Sequence, residues 1–341
     1  MFNRIEIENY KSIANIRLEN ISDFNVFFGK NNCGKSSLLE AVFLLSSPNL
    51  PFLFLNCNKF RGYNKISDFS YFFNNLDKKR NIKLTGQGND FFNRQVVACI
   101  NDEFTKILNS ESLSDINSER LDLDFIVNEK IYKSSFSIRQ KENLTEDGIV
   151  SSVPESEYKE EIRSCFMPSN YSFGTLLETV KNIFREKKEE QLIELMKNFD
   201  DKIQDIILVG DEIMVNTGLP YRIPLNFLGD GIRKIFSIVA NIVWCKNGVL
   251  LIDEIDNGVH FSIMNDLWKG LLNIAHQNNT QVFATTHNID SLKGICNYIE
   301  DNNDANVSFY KIIHRKDSTN KVINYSAQNF KEMLLMENEI R

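Results

Sequence analysis

Phe24-Asn25-Val26-Phe27-Phe28-Gly29-Lys30-Asn31-Asn32-Cys33-Gly34-Lys35-Ser36-Ser37-Leu38-Leu39 is the stretch around which the rest of the chain can be ordered. Residues 24–28 form a short apolar run, as expected of a strand buried on both faces. From Ser36, the run Ser-Ser-Leu-Leu-Glu-Ala-Val predicts a helix. Between strand and helix, Gly29 to Ser36 fit GxxxxGK[ST] in full. Glycines at 29 and 34 let successive backbone N–H groups, including those of Lys30, Asn31, Asn32 and Cys33, turn inward around phosphate oxygens. The helix that follows adds its positive N-terminal end. Lys35 has the reach for the β and γ phosphates, the Ser36 hydroxyl suits Mg²⁺, and Ser37 continues the first turn. A chance match in a turn would lack the buried strand before it and the helix after it.

Working outward toward the N-terminus, Phe2, Ile5 and Ile7 alternate with Arg4, Glu6 and Glu8, the pattern of a half-buried strand. Ile13, Ile16 and Leu18 suggest its hairpin partner. In the other direction, residues 48 to about 205 interleave Phe, Asn and charged side chains, with turn signals at Pro48, Pro51, Gly86 and Gly88. Within them, 122–127 and 131–138 alternate like an antiparallel hairpin, and the polar stretch 141–160 reads as a loop. Apolar residues from Leu176 to Ile203 fall at helical spacing, giving a helical arm over about 175–203. It reads as an amphipathic helix or short helical hairpin, since a long coiled coil needs sustained heptads.

The pattern changes again at 206. Ile206–Val209 and Glu212–Val215 read as strands, Gly231 to Cys245 as a helix, Val249-Leu250-Leu251-Ile252 as a buried strand, Phe261–Ala275 as a helix and Gln281–Thr285 as a further strand. Strands alternating with helices imply a largely parallel sheet covered on both faces. The expected organisation is an α/β core made of 1–47 and 206–341, with 48–205 as an inserted α+β and helical arm.

Three further segments carry chemistry. The strand 249–252 ends in Asp253-Glu254. A buried strand ending in Asp delivers a carboxylate to the sheet edge where nucleotides bind. Asp253 is expected to hold Mg²⁺ through water, and Glu254, pointing elsewhere, to orient attacking water as a base. Taken alone, two acidic residues capping a turn would explain the pair equally well. Leu228-Gly229-Asp230-Gly231 opens a helix with Arg233 and Lys234 in its first turn, and its small residues expose backbone N–H groups as a second anion site. Thr285-Thr286-His287 follows a strand, where His287 can touch a γ-phosphate or its water.

Composition narrows the class. The 341 residues carry 39 Lys and Arg against 46 Asp and Glu, a formal charge of −7. A generically basic nucleic-acid binder is excluded, and a local basic groove is not. Clusters at Lys59, Arg61 and Lys65, at Lys78-Lys79-Arg80, and at Lys311, Arg315 and Lys316 read either as such a groove or as a solvated surface. No apolar run is long enough for a spanning helix, and the opening MFNRIEIENY has no signal-peptide h-region. Cysteines at 33, 57, 99, 165, 245 and 296 form no CxxC pair, so neither a zinc ribbon nor a disulfide scaffold is expected and a cytoplasmic location is.

The order of P-loop, LGDG, hydrophobic-DE and TTH resembles an ABC-type ATPase head. It is most similar to the RecF/SMC/OLD (overcoming lysogenization defect) group of non-transport ABC ATPases. Ile5-Glu6-Ile7-Glu8-Asn9-Tyr10-Lys11-Ser12-Ile13 resembles their opening strand, and Asp253 to His260 their extended DE(x)ExGxH segment. Tyr325-Ser326-Ala327 and Glu339-Ile340-Arg341 look like the tail of the OLD-like AAA-15/AAA-21 ATPase domain. LGDG departs from the LSGGQ of transporters and agrees with the OLD-like branch. A TOPRIM domain of the OLD nucleases is not expected here, since only 54 residues follow His287.

The resemblance implies ATP with Mg²⁺, bound between two copies in a head-to-tail dimer. Gly29–Ser37 of one copy would hold the phosphates, and Leu228–Gly231 of the other would close on the γ-phosphate. It implies hydrolysis with Glu254, His287 and Lys35 as the catalytic set and Ser36 and Asp253 as metal ligands. Three functions follow: an ATPase sensor that controls a separately encoded effector, a nuclease in the leading case, in anti-phage defence; a RecF-like ATPase acting on DNA; and an ATP-binding scaffold with little turnover. PARIS-type and Septu-type ATPase subunits are examples of the first arrangement. The stretch 48–205, with Phe52, Phe54, Phe60, Tyr63, Phe69, Tyr71, Phe72 and Phe73, is either a small core or a place for trigger and partner contacts.

Overall fold

The computed structural model of the protein describes residues 1–46, 52–63, 68–88, 93–101, 116–141, 149–154, 158, 160–259, 264–301, 306–315 and 319–335. His260, Lys65, Lys316, Pro48, Pro51 and the closing Glu339-Ile340-Arg341, singled out in the sequence, lie outside the described residues.

Contacts divide the chain into two units. One comprises Met1–Ile21, Lys30–Glu161 and Ile312–Asn324, the other Ser22–Gly29, Ile162–Lys311 and Tyr325–Arg341. The stretch 48–205, expected as a single insertion, is therefore shared between them, parting at Glu161.

The first unit is built on an antiparallel sheet. Its strands are β1 (Phe2–Tyr10), β2 (Ile13–Leu18), β4 (Ile82–Gly88), β5 (Asn93–Ile100), β6 (Ile116–Val127), β7 (Lys130–Lys141) and β8 (Ile149–Pro154). They stand in the order β2-β1-β4-β5-β6-β7-β8. The predicted hairpin of β1 and β2 forms, with Ile7 opposite Ile16 and Tyr10 opposite Ile13. On its other side β1 pairs with β4, Ile7 opposite Leu84. That ladder is why the N-terminal strands group with residues expected in the insertion. β6 and β7 form the hairpin read from 122–138, Asp122 opposite Ser135. The stretch 141–160, read as a loop, contains β8, which pairs with β7. The helices α1 (Lys35–Ser46) and α2 (Phe52–Lys59) belong to this unit. The alternation of β1 puts Phe2, Ile5 and Ile7 inside, and α1 is buried from Ser37 to Ser46. Gly86 on β4 has a structural reason: a Cβ there would sit 2.4 Å from the buried Phe2 ring.

The second unit is built on parallel strands in the order β15-β3-β14-β13-β9: Val307–His314, Phe24–Phe28, Gln281–Thr286, Val249–Ile252 and Ser164–Met167. Every residue of β3, β13 and β14 is buried, as the apolar runs predict. Asn25 is the polar exception in β3, and its amide is bonded to the Ser22 and Val282 carbonyls and the Ser22 N–H. β9 was not legible as a sheet member; it pairs alongside β13, Met167 opposite Ile252.

The helices of this unit are α3 (Phe173–Arg185), α4 (Glu189–Lys197), α5 (Asp230–Trp244), α6 (Met264–Gln277), α7 (Ile289–Asp301) and α8 (Ala327–Leu335). One core joins them to the sheet, through Val180, Leu192, Ile235, Trp268, Leu292 and Phe330 among others. Phe24 meets Trp268 edge-on at 5.6 Å, and Phe309 stacks on Phe330 at 3.9 Å between centroids. The predicted arm over 175–203 is a hairpin of two short helices. Ser172 caps α3 by accepting the Thr175 N–H, and Lys187 turns at φ +56° between α3 and α4. The hairpin β10 (Asp205–Val209) and β11 (Glu212–Asn216), joined by β12 (Ile223–Pro224), completes the unit. No described helix is long and apolar enough to cross a membrane, and all six cysteines are free thiols.

Candidate functional site

In the second unit, three parallel strands end together. Register sets Phe28 opposite Thr286, and Ile252 opposite Ala284. Gly29, Asp253 and His287 therefore all stand just past the carboxyl ends of adjacent strands, the edge at which ligands bind in such sheets.

Asp253 is buried at 9% exposure. Its Oδ1 accepts the Thr285 hydroxyl at 2.6 Å, and the same Oγ1 accepts the Glu254 N–H at 2.9 Å. The Asp253 N–H donates to the Met167 carbonyl on β9. Thr285, fully buried in β14, thus fixes both acidic residues. Glu254 has φ +50°, a left-handed conformation uncommon for a residue with a side chain. Its side chain is half-exposed. Its carboxylate has no hydrogen-bond partner among the described residues. β14 runs one residue further than predicted, to Thr286, whose hydroxyl accepts the Asn288 N–H ahead of α7. His287, between them, is exposed.

Leu228-Gly229-Asp230-Gly231 opens α5, with Gly229 at the N-cap and no side-chain cap. A Cβ on Gly229 would meet nothing within 4 Å, so the helix end is open. The two cations of the first turn do not serve it. Arg233 pairs with Asp230. Lys234 points inward, its Nζ 3.5 Å from the Glu254 carbonyl. Burial pushes its ammonium below the ordinary lysine value, against the pull of Asp256, Asp253 and Glu254. Asp256 is itself buried, with Oδ1 lacking a partner among the described residues.

The loop after Gly29 continues in the first unit. Gly29 and Gly34 take φ +148° and +103°, and Asn32 takes +62°. The Leu38 N–H donates to the Gly34 carbonyl, closing the first turn of α1. The Lys35 ammonium donates to the Lys30 carbonyl at 2.9 Å. Two residues that the sequence did not flag brace this loop. The Asn320 amide donates to the Cys33 carbonyl and accepts the Ala14 N–H. The Ser12 and Ser37 hydroxyls lie 2.8 Å apart. The φ of Gly34 favours glycine, and a Cβ there would press on Ser12 at 3.3 Å and Asn320 at 3.4 Å. The Cys33 thiol is buried, and that burial raises it against the pull of Lys35.

Behind the loop, Glu40 of α1 is 1% exposed and is bonded by Lys11 at 2.8 Å and by Arg61 at 2.8 and 3.1 Å. Arg61 also donates to the Ser37 hydroxyl at 3.0 Å. Burial disfavours the Arg61 charge, yet Glu40 beside it holds the guanidinium above its ordinary value. Arg61 and Lys78, read as groove cations, are thus committed to carboxylates, Lys78 to Glu119 and Asp68.

A model of the family described as "AAA domain, putative AbiEii toxin, Type IV TA system" matches residues 24–292. The chain is 26% identical to an ATP/GTP phosphatase of Helicobacter pylori over 326 residues, covering 84% of this chain and 85% of that protein. A short segment of 44 residues, 13% of this chain and 12% of the other, is 41% identical to the DNA replication and repair protein RecF of Acinetobacter baumannii. Among solved structures, an SMC head bound to the C-terminal winged-helix domain of ScpA superposes with a TM-score of 0.54 at 12% identity, over 97% of this chain and 99% of that one. An SMC head from Pyrococcus furiosus gives 0.50 at 12%, over 100% and 99%.

Proposed function

From the premise that this chain belongs to that AAA-domain family and is an ATPase of the RecF/SMC-like ABC type, we propose which residues do the work and to what end. The observation that carries the reading is the common strand edge at Gly29, Asp253 and His287, with a P-loop leaving it.

Backbone N–H groups of Gly29 to Ser37 receive the triphosphate, and Lys35 exchanges its bond to the Lys30 carbonyl for phosphate oxygens. The Ser36 hydroxyl, and the Asp253 carboxylate through water, would hold Mg²⁺, which needs only one or two protein oxygens beside those of the phosphates. When bound there, the ion would supply neutralisation of the charge developing on the phosphates. Asp253 is suited to this because Thr285 fixes one oxygen and burial keeps the group from solvent. Glu254 accepts the proton of the attacking water, its backbone locked by Thr285. His287, exposed at the end of β14, steadies the γ-phosphate or that water. Leu228–Gly231 offers its open helix end to the nucleotide of a second copy, so that ATP closes a head-to-tail dimer.

The purpose we assign to this cycle is control of a separately encoded effector, a nuclease in the leading case, in anti-phage defence. The order of motifs supports this reading; the family description names a putative AbiEii toxin of a Type IV TA system and no effector. A RecF-like role on DNA has the short RecF match in its favour, and the commitment of Arg61 and Lys78 to carboxylates against it.

The test is a set of three proteins, wild type, Glu254→Gln and Lys35→Ala, assayed for ATP binding and hydrolysis. Glu254→Gln is expected to bind ATP, lose hydrolysis by about 10²–10⁴-fold and accumulate as a dimer on a sizing column. Lys35→Ala is expected to lose binding. Normal turnover by Glu254→Gln removes Glu254 from its role. The trapped Glu254→Gln dimer, recovered from cells expressing the neighbouring gene, then decides the partner. A nuclease-resistant complex with that gene's product supports the effector reading, and DNA alone, lost at high salt, supports the RecF-like one.

A further inference from the structure

Glu254 is held in a conformation that a residue with a side chain does not keep unaided. Its φ of +50° lies in the left-handed region, and such residues persist only where their surroundings over-determine them. Three bonds to its backbone do so here. Its N–H donates to the Thr285 hydroxyl at 2.9 Å, and its carbonyl accepts the Asn257 N–H at 3.0 Å and the Lys234 ammonium at 3.5 Å. The first comes from β14 and the second from the turn itself, while the third reaches across from the first turn of α5. Lys234 adds little to the fold by being there. Its ammonium is largely withdrawn from water, and among the described residues it forms that one loose hydrogen bond and no ion pair. Asp256, Asp253 and Glu254 attract it without offsetting its desolvation. A buried charge so weakly partnered is less favourable than an apolar side chain of the same length. Stability therefore does not account for a lysine at 234. What its ammonium does reach is the backbone of Glu254.

We infer that Lys234 is a positioning residue for ATP hydrolysis, its ammonium holding the Glu254 carbonyl and so aiming the Glu254 carboxylate at the attacking water. The inference rests on the reading of Glu254 as the base and goes beyond it by naming what sets that base in place from the helix side. Lys234 acts through Glu254 and takes no part in phosphate binding. Its loss is thus felt in the rate of the chemical step and not in the affinity for ATP. A cavity of about 330 Å³ beside it, bounded also by Ser237, Asn257 and Gly258, gives a guanidinium room to make the same bond.

Steady-state ATP hydrolysis and thermal melting of the full chain test this in five proteins: wild type, Lys234→Met, Lys234→Arg, Glu254→Gln and the double variant Lys234→Met/Glu254→Gln. Lys234→Met keeps the length of the side chain and removes the donor. It is expected to melt no lower than wild type, to keep the KM for ATP, and to lose kcat by about 10- to 10²-fold, the scale of an ångström's displacement of a reacting group. Lys234→Arg keeps a charged donor and is expected to recover most of that loss. In the Glu254→Gln background, Lys234→Met is expected to slow residual turnover no further, since a residue that acts through the carboxylate then has nothing left to place. A markedly lower melting temperature for Lys234→Met, a rise in its KM in step with the fall in kcat, a Lys234→Arg enzyme as slow as Lys234→Met, or a full additional loss in the double variant each overturns the inference. Glu254→Gln alone separates the two readings. Normal turnover there overturns the base reading and this inference with it, whereas slow turnover there beside an unchanged kcat in Lys234→Met overturns the inference alone.

Discussion

Thr285 shows how much a single hydroxyl can govern. It donates to Asp253 and accepts from the Glu254 N–H, so two neighbouring acidic residues share one anchor. Thr285→Val keeps the shape and removes both bonds at once. The expected loss of stability is about 1–3 kcal/mol, read from denaturant midpoints. ATP turnover is expected to fall at least about tenfold with little change in KM, since the loss is in placement and not in phosphate binding. A rise in KM with unchanged kcat would contradict that division. At this scale the sequence was generous. GxxxxGK[ST] announces itself because phosphate binding needs fixed residue types at a fixed spacing, and the DE pair gains its meaning only beside it. Asn320 and Ser12 gave no such signal. A brace is defined by where distant chain returns, and nothing in Asn320 itself points to Cys33, 287 positions earlier.

Among elements, periodicity decided what could be read. Amphipathic helices and buried strands repeat a pattern and were legible, as with β3, β13 and the helical pair α3 and α4. β9, Ser-Cys-Phe-Met, lacks the unbroken apolar run that marks the equally short β13, and only its ladder with β13 reveals it. The grouping of β1 with β4 was hidden for a related reason, since strand pairing is a choice among partners that alternation alone does not make. β9 is tied to the end of α3 by a surface clamp. Arg163, one residue before β9, bonds Glu186 at 2.8 and 2.5 Å and lies 4.3 Å over the Trp244 ring. The Arg163 hydrogen bonds, with help from Lys188, bring the Glu186 carboxyl down to about 2. A carboxyl lowered by folding stabilises the fold above its unfolded value of 4.5. That stabilisation fades as pH falls toward 2. Solvent screening of this half-exposed pair keeps its worth to about 1 kcal/mol or less. Glu186→Gln should therefore be less stable than wild type at pH 7 by that amount, and the two melting curves should converge as the pH is taken from 4.5 to 2. A gap that persists at pH 2 would mean that the clamp works by packing on Trp244 and not by charge.

At the scale of the whole molecule, the chain passes between the two units at residues 21–22, 29–30, 161–162, 311–312 and 324–325. Each unit is consequently assembled from early and late sequence. This explains why a core of 1–47 and 206–341 was a fair inference from motifs alone, and why the contacts group the residues otherwise. Motifs follow the chemistry, which collects at one sheet edge, while contacts follow the ladders. The Glu40 triad was hidden because its members come from three separate elements, β1's turn, α1 and the end of α2.

The place of β3 bears on how the protein is born. β3 spans residues 24–28, yet both strands that flank it, β14 and β15, start at 281 and 307. On a ribosome adding about 5–20 residues each second, a strand that is apolar on both faces waits roughly 10–50 s for its first neighbour. A nascent chain arrested near residue 270 should accordingly be cut by protease within 24–28 and captured by holdase chaperones, whereas one released in full should resist. Resistance in the arrested chain would mean that another segment shelters β3 in the interval. The phosphate loop is made about 250 residues before the strands that secure its supporting strand.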